Sequence, residues 1–339
     1  MKQHGEREVT ISTKLCDSKG NLNPAAIGFA RKPLIESNLS GHFMRKKKWN
    51  YWCVFGEEIM FSATISHLDY AAVCFVYFLE YETQRYFELT TTIPIGTSIK
   101  MSEQVLETVK FCNKDLTVQI SYLEGRTYLT VICTDFDGEP LHADITIQHP
   151  EDDESLNVVI PWSSKMFQFT AKHHTLPATG TVKLGHRQYN LKEECFAVLD
   201  YGRGVWPRNA IWNWGMASQM QKGKRIGLNF GGQWTDGTGM TENAIFIDGK
   251  MTKIHEDVLF HYDRENFMKP WLIKTKFSDT VSLTFTPFFE RIAKTDAKLV
   301  KSEVHQMVGY YNGTINIPEG KAIPIQQMLG CIEEHVARW

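Results

Sequence analysis

The chain has 339 residues, 42% hydrophobic and 12% aromatic, so it can bury a sizeable core and is not globally disordered. Its length suits one large domain or two of ordinary size. The formal net charge of -2 gives no strong field to steer it onto nucleic acid or an anionic membrane, so neither is an expected partner.

The N-terminal MKQHGEREVTI is polar and lacks an apolar stretch, so no secretory leader is expected. Residues 15–34 hold Asp17, Gly20, Asn21, Asn23 and Pro24 in quick succession, which predicts an irregular segment laid across the fold. The basic run Arg45-Lys46-Lys47-Lys48 reads as a solvated loop. From 47 to 63, Trp49, Tyr51 and Cys53 share one parity and Gly56-Glu57 can turn, which predicts a first hairpin. The longest apolar run, 70–79, has ten residues. That is too short to span a bilayer, and its branched and aromatic content suits a buried strand.

Strand-like runs follow at 60–66, 70–80, 85–92, 117–122, 127–134 and 143–148. Gly125 and Asp137-Gly138 are hairpin signals. Both faces of 127–133 are largely apolar, so this strand is expected to be covered on both sides. The acidic PEDDESLN at 150–157 is the best boundary candidate. Strand patterns then resume at 158–162, 166–172, 180–184, 195–201, 210–218, 225–230, 244–247, 250–254, 258–261, 272–277, 282–287, 299–311 and 313–317. Asp248-Gly249 and Asn312-Gly313 read as two-residue hairpins. At the end, Pro324 suits a first helical position, and Ile325, Met328, Leu329, Ile332 and Val336 share one helical face. A helix is therefore expected at about 324–338.

Many short strands and one helix predict an all-β protein. Two successive runs predict two consecutive antiparallel barrels or sandwiches, at 1–155 and 156–339, the second ending in the short C-terminal helix. Closure into barrels would remove sheet edges. The seven cysteines (Cys16, Cys53, Cys74, Cys112, Cys133, Cys195, Cys331) are odd in number and show no CxxC spacing. Buried reduced thiols in a cytoplasmic protein are expected.

The densest chemistry lies at 200–234, DYGRGVWPRNAIWNWGMASQMQKGKRIGLNFGGQW, with four of the nine tryptophans. Four blocks, LCDSKGNLNPAAIGFARKPL, KKWNYWCV, DYGRGVWPRNAIWNWGMAS and LGCIEEHVARW, together resemble a bacterial family of unknown function, domain-of-unknown-function family 2804. The resemblance spans nearly the whole chain. That family is distantly similar to two-domain lipocalin-like proteins, among them carotenoid hydratases, tocopherol cyclase and fungal pericyclic cyclases. The resemblance implies two β-barrel domains and carries over no established activity.

On a strand at 210–218, Trp212 and Trp214 share a face and Asn209 and Asn213 take the other. The tryptophans read either as core packing or as one wall of a cleft for a flat apolar ligand. Trp206, Trp234 and the two asparagines join them as candidate ligand contacts. Asp200 has two readings. Arg203 and Arg208 can pair with it as a structural clamp, or it is a general acid in an apolar pocket, where a nearby arginine would oppose its protonation. Tyr201 and Glu242 are further candidate proton donors, Glu242 standing where a barrel mouth is expected. Arg203 and Arg208 also count as candidate ligand contacts. The glycine-rich pieces at 227–232 and 237–239 match neither a P-loop nor a dinucleotide fingerprint, and read as places where strands bend. The adjacent His173 and His174 point to opposite faces of a strand. No metal site and no cofactor are expected.

These readings predict a protein that binds an apolar small molecule, isoprenoid- or lipid-like, with cofactor-free hydratase, isomerase or cyclase chemistry as the enzymatic form. A non-catalytic carrier or sensor, and a structural or partner-binding protein, are the other readings. Nothing in the sequence sets the oligomeric state.

Overall fold

The computed structural model describes residues 4–94, 99–297, 300–317 and 322–339. Leu299, at the head of the strand expected over 299–311, and the first three residues of the polar N-terminus lie outside them. Among the described residues the only helical element is one 3-10 turn, Pro24–Ala26, capped by the Asn23 side chain. Among the described residues no helix is long and apolar enough to cross a membrane.

The strands form two large antiparallel sheets, each curled into a half-barrel. In spatial order the first runs Tyr86–Pro94, Ala71–Glu80, Ile59–His67, Lys46–Phe55, Phe196–Val205, Phe167–Leu184, Glu139–Gln148, Arg126–Phe136, Leu116–Leu123 and Val109–Cys112. The second runs Lys250–Lys253, Ala244–Ile247, Lys224–Gly232, Asn209–Gln221, Ala322–Arg338, Val300–Asn316, Val281–Ala297, Trp271–Thr275 and Val258–His261. Curling brings Phe87 to 6.1 Å from Phe136 in the first sheet and packs Phe260 against Gly232 in the second. The interior of each is filled by apolar side chains, Trp52, Phe61, Phe78 and Phe169 in one and Phe230, Trp271, Phe285 and Met328 in the other. A third core, with Tyr51, Tyr77, Trp214, Met216 and Cys331, lies where the sheets press together.

The long strand Phe167–Leu184 organises the first sheet. Its first half pairs with Phe196–Val205 and its second half with Glu139–Gln148, and the register breaks between His173 and Leu176. Thr175 takes φ 54 there, a value that a β-branched residue rarely adopts. The change from one large sheet to the other falls between Val205 and Asn209. The acidic 150–157 stretch connects two strands of the first sheet and reaches across to the second, where Asp153 pairs with Arg225 at 2.9 Å.

Several local expectations are corrected. The expected C-terminal helix at about 324–338 is instead the central strand Ala322–Arg338, paired on both sides. Met328 and Ile332 fill the second half-barrel, while Leu329 and Cys331 face the first sheet. A strand apolar on both faces, broken by Gln327 at φ 46, imitates a helical stripe. Asn312-Gly313 is a bulge within Val300–Asn316, not a hairpin turn. A Cβ on Gly313 would lie 2.2 Å from the Ser282 carbonyl oxygen. The basic run is no solvated loop: Lys46–Lys48 open a strand, and Lys47 is 2% exposed. The strand at 127–133 is covered on one side only, since Tyr128 and Ile132 face solvent. The hairpins at Asp137-Gly138 and Asp248-Gly249 stand, with both residues of each at positive φ. All seven cysteines are free thiols, and six are buried.

Gly202, in the strand shared with Asp200, leaves no room for a methyl group: a Cβ would sit 2.1 Å from the Trp49 ring. Gly202→Ala must displace Trp49, and we expect a loss of about 1–3 kcal/mol, read as a fall of several degrees in Tm. An unchanged Tm would contradict this packing.

Candidate functional site

Strand alternation decides which side chains meet between the sheets. On Phe167–Leu184, Lys172 and His174 point toward the second sheet while His173 points into the first half-barrel, as expected for adjacent residues. On Phe196–Val205, Asp200 shares the outward face with Val198, and Tyr201 and Arg203 turn inward. Lys172 therefore meets Asp200 at 2.8 Å and Glu242 at 3.2 Å. Its ammonium also lies 4.3 Å from the centre of the Trp214 ring. Burial works to lower the Lys172 pKa, but the two carboxyls outweigh it and hold the ammonium above its ordinary value.

Glu242 is fitted into this contact by the chain around it. A Cβ on Gly231 would lie 2.1 Å from its Oε1, so only glycine there leaves the space. The Trp234 indole N–H donates to Oε1 at 2.7 Å, and the Asn229 amide donates to the Glu242 carbonyl at 2.5 Å. Asn229 also accepts the Trp214 N–H at 2.9 Å. Burial raises the Glu242 pKa, with Asp200 pushing the same way and Lys172 and Trp234 opposing.

Above the triad stands a cluster of six indoles. Trp206 is its hub, with ring centres 4.8 Å from Trp162, 5.2 Å from Trp212 and Trp234, and 6.2 Å from Trp49 and Trp339. Trp206 and Trp234 are buried, while Trp49, Trp162, Trp212 and Trp339 are half-buried, so the cluster reaches the surface. Two of these indoles hand their N–H groups to acids below. Trp234 bonds Glu242, and Trp212 bonds Glu333 at 3.2 Å.

Glu333 is the residue that the expected helix concealed. As a strand residue it faces the first sheet, and its other oxygen accepts from the Gln306 amide at 2.9 Å. Gln306 then has its carbonyl free to accept the Tyr77 hydroxyl at 2.8 Å, so the Tyr51 hydroxyl must donate to Tyr77 at 2.6 Å. Burial pushes the Glu333 pKa up to about 7, Asp200 adds to it, and the Trp212 N–H, Arg291 and Gln306 pull against it. Arg291 is itself held by a fork to Glu88, at 2.7 and 2.9 Å. Beside Trp212, ring centres 3.9 Å apart, burial lowers His335 to about 3, so it is neutral at physiological pH.

The junction thus brings together Asp200, Glu242, Trp206, Trp212, Trp214 and Trp234 of the sequence-derived candidates. It does not include the others. Tyr201 bonds Ser37 at 2.6 Å inside the first half-barrel. Arg203 does not clamp Asp200, because three residues along a strand reverse the face. Its guanidinium meets Glu107 at 2.6 Å and Asn50 at 3.0 Å, fully buried. Arg208 is exposed and offers its carbonyl to Trp339 at 3.0 Å. Asn209 lines an open cleft of about 590 Å³ with Ile211, Lys294 and Val336. Asn213 lines another of about 420 Å³ at the second half-barrel, where it bonds Gln233 and Tyr262. Sequence reasoning missed Lys172, Asn229 and Glu333. Trp49, Trp339 and Glu333 did lie in KKWNYWCV and LGCIEEHVARW, two of the blocks that carry the family resemblance.

Fold and junction define an all-β protein of two half-barrels joined over a buried acid–lysine contact roofed by tryptophans. The chain belongs to the family described as Domain of unknown function (DUF2804), which matches residues 6–339. A search of curated proteins found no match. Among solved structures, the chain is similar to an AttH from Nitrosomonas europaea at 9% identity and TM-score 0.45, covering 88% of this chain and 93% of that one. It is similar to kievitone hydratase from Nectria haematococca at 10% identity and TM-score 0.48, covering 88% and 90%. It is also similar to CghA at 9% identity and TM-score 0.43, covering 87% and 88%.

An acid whose pKa rises on folding stabilises the fold while it is neutral. For Glu333 that contribution is complete below an ordinary value of 4.5 and is lost as the pH climbs through about 7. Glu333→Gln keeps the neutral shape at every pH. Wild type should therefore lose stability relative to the variant by about 1.4 kcal/mol per pH unit across that window. Urea unfolding at several pH values checks this, and a constant difference between the two proteins would refute it.

Proposed function

We propose that this protein binds an apolar, isoprenoid- or lipid-like small molecule against the tryptophan-roofed junction and transfers a proton to it without a cofactor. Hydration, isomerisation and cyclisation are the reactions that fit. One observation carries the reading: two buried acids, Glu242 and Glu333, have raised pKa values and each holds the N–H of an indole belonging to one aromatic cluster. Protonating an alkene or carbonyl needs a neutral carboxylic acid kept from water, and burial is the ordinary way to keep one.

In this scheme the Glu242 carboxyl gives its proton to an alkene carbon, and the C=C π pair forms the new C–H bond. The cation left behind faces indole rings, whose negative faces stabilise it. Loss of a neighbouring proton, directly or after an internal alkene has attacked the cation and passed the charge on, or addition of water followed by loss of one of its protons, completes the turnover and returns a proton to the Glu242 carboxylate. Lys172 and Asp200 fix the position of Glu242 and the charge around it. Tyr201 and Arg203 belong to the packing of the first half-barrel. Seven free cysteines suit a reducing compartment, and we assign the cytoplasm.

A purely structural reading has one specific observation in its favour: Trp206 packs on five other indoles, which is what a weld between two sheets requires. A carrier would use the same junction without proton transfer. Native mass spectrometry of protein purified gently from its own host separates these readings. A co-purified isoprenoid or lipid names the compound to assay. Glu242→Gln should then keep binding and lower conversion by about 100- to 10,000-fold. Binding without conversion in wild type makes the protein a carrier. If no ligand co-purifies and Trp212→Ala merely lowers Tm, the tryptophans weld the sheets and the proposal fails.

A further inference from the structure

At the rim of the junction a group of buried hydrogen-bond donors stands without acceptors. Lys47 opens the strand Lys46–Phe55 on the same face as Trp49 and Tyr51, and it is 2% exposed. Its ammonium lies 4.6 Å from the centre of the Tyr70 ring and 5.4 Å from that of Trp339. The described residues give it these two rings and no hydrogen-bond acceptor or ion-pair partner. Asp69 is turned elsewhere. Its Oδ2 accepts the Arg45 and Lys46 backbone N–H groups at 3.1 Å and pairs with the Lys46 ammonium at 3.0 Å. Burial brings the Lys47 pKa down to about 8, with Asp69 opposing the fall and Arg45 adding to it.

The two rings each carry a donor in the same condition. The Tyr70 hydroxyl and the Trp339 indole N–H are buried and meet no partner among the described residues. A buried donor without an acceptor is costly and native structures hold few, so three side chains of this kind around one ammonium call for a cause. Arg208 adds a second cation at the edge. It is exposed, and its carbonyl accepts the Trp339 backbone N–H at 3.0 Å. Tyr70 and Trp339 are half-buried, so the group reaches the surface. It also adjoins the aromatic cluster, since the Trp339 ring lies 6.2 Å from Trp206 and 6.3 Å from Trp212. An apolar body lying on those indoles would bring its head to Lys47. A carboxylate or phosphate supplies both the missing acceptor oxygens and the missing charge.

We propose that Lys47, Tyr70 and Trp339, with Arg208 at the rim, hold an anionic oxygen head, carboxylate or phosphate, on the apolar ligand of the junction. This rests on reading the junction as a ligand site. Different indoles then serve the two ends of the ligand. Trp212 and Trp234 bond the buried acids, while Trp339 stands with Lys47 at the head.

The test uses the full chain and probes with one apolar body: geraniol, geranic acid and geranyl phosphate, with inorganic phosphate as the bare head. Affinities are read near neutral pH by tryptophan fluorescence and calorimetry. At least one of the two anions should bind about tenfold or more tighter than geraniol, and the tighter one names the head. Inorganic phosphate should bind more weakly than geranyl phosphate. Lys47→Met should bring the anions down to the level of geraniol and leave geraniol itself unchanged. Tyr70→Phe keeps the ring beside the ammonium and removes only the hydroxyl, so it should weaken the preferred anion about three- to tenfold. Anions no tighter than geraniol, or a preference that survives Lys47→Met, overturns the inference while leaving a ligand site in place. Should Lys47→Met fail to fold, an anion affinity unchanged by Tyr70→Phe overturns it instead. If neither geraniol nor either geranyl anion binds, the ligand-site reading itself falls.

Discussion

Lys172 stands where the two half-barrels meet, with a carboxyl on either side and an indole face against its ammonium. Burying an ammonium costs several kcal/mol unless partners surround it, so the chain near it has little freedom. Gly231 must lack a side chain for Glu242 to reach in. Asn229 must sit where it fixes both the Glu242 backbone and the Trp214 indole. Three strands and one loop from opposite sheets meet at this single contact.

The same alternation that builds the contact also sorts the rest of the chemistry. Asp200 and Tyr201 are neighbours in sequence, yet one serves the junction and the other the first core. Arg203 falls with Tyr201 and satisfies its charge on Glu107, at the opposite face from the acids it seemed placed to meet. Trp212 and Asn213 divide in the same way, one into the aromatic roof and the other into the mouth of the second half-barrel. A strand thus gives two unrelated environments to adjacent residues, and a dense sequence block need not be one site.

What was legible in the sequence follows from short-range physics. Asp137-Gly138 and Asp248-Gly249 turn because two positive φ values suit these residues and few others. The run at 70–79 is a buried strand because its composition leaves no other stable place for it. The tryptophan-rich stretch at 200–234 was marked by residue type alone, and four of its tryptophans do gather at the junction. The last strand was misread for an equally physical reason. Pressed between a filled half-barrel and the opposing sheet, it is apolar on both faces, and its bulge at Gln327 gives the spacing of a helix. With that misreading went Glu333, which lies outside the expected helical stripe and is in fact buried, bonded to Trp212.

The sequence by itself determined that the chain is all-β, that it turns at particular glycines, and where its tryptophans concentrate. Backbone preference and the period of two act within a few residues, so they can be read along the chain. Only the tertiary structure decided the partner of Asp200, the upward shift of the Glu242 and Glu333 pKa values, and the separation of Tyr201 and Arg203 from the junction. Those outcomes depend on desolvation and on charges brought together across the fold, as Lys172 and Glu242 are from strand and loop of opposite sheets. No local pattern encodes the dielectric environment that a side chain meets once the two sheets have closed on it.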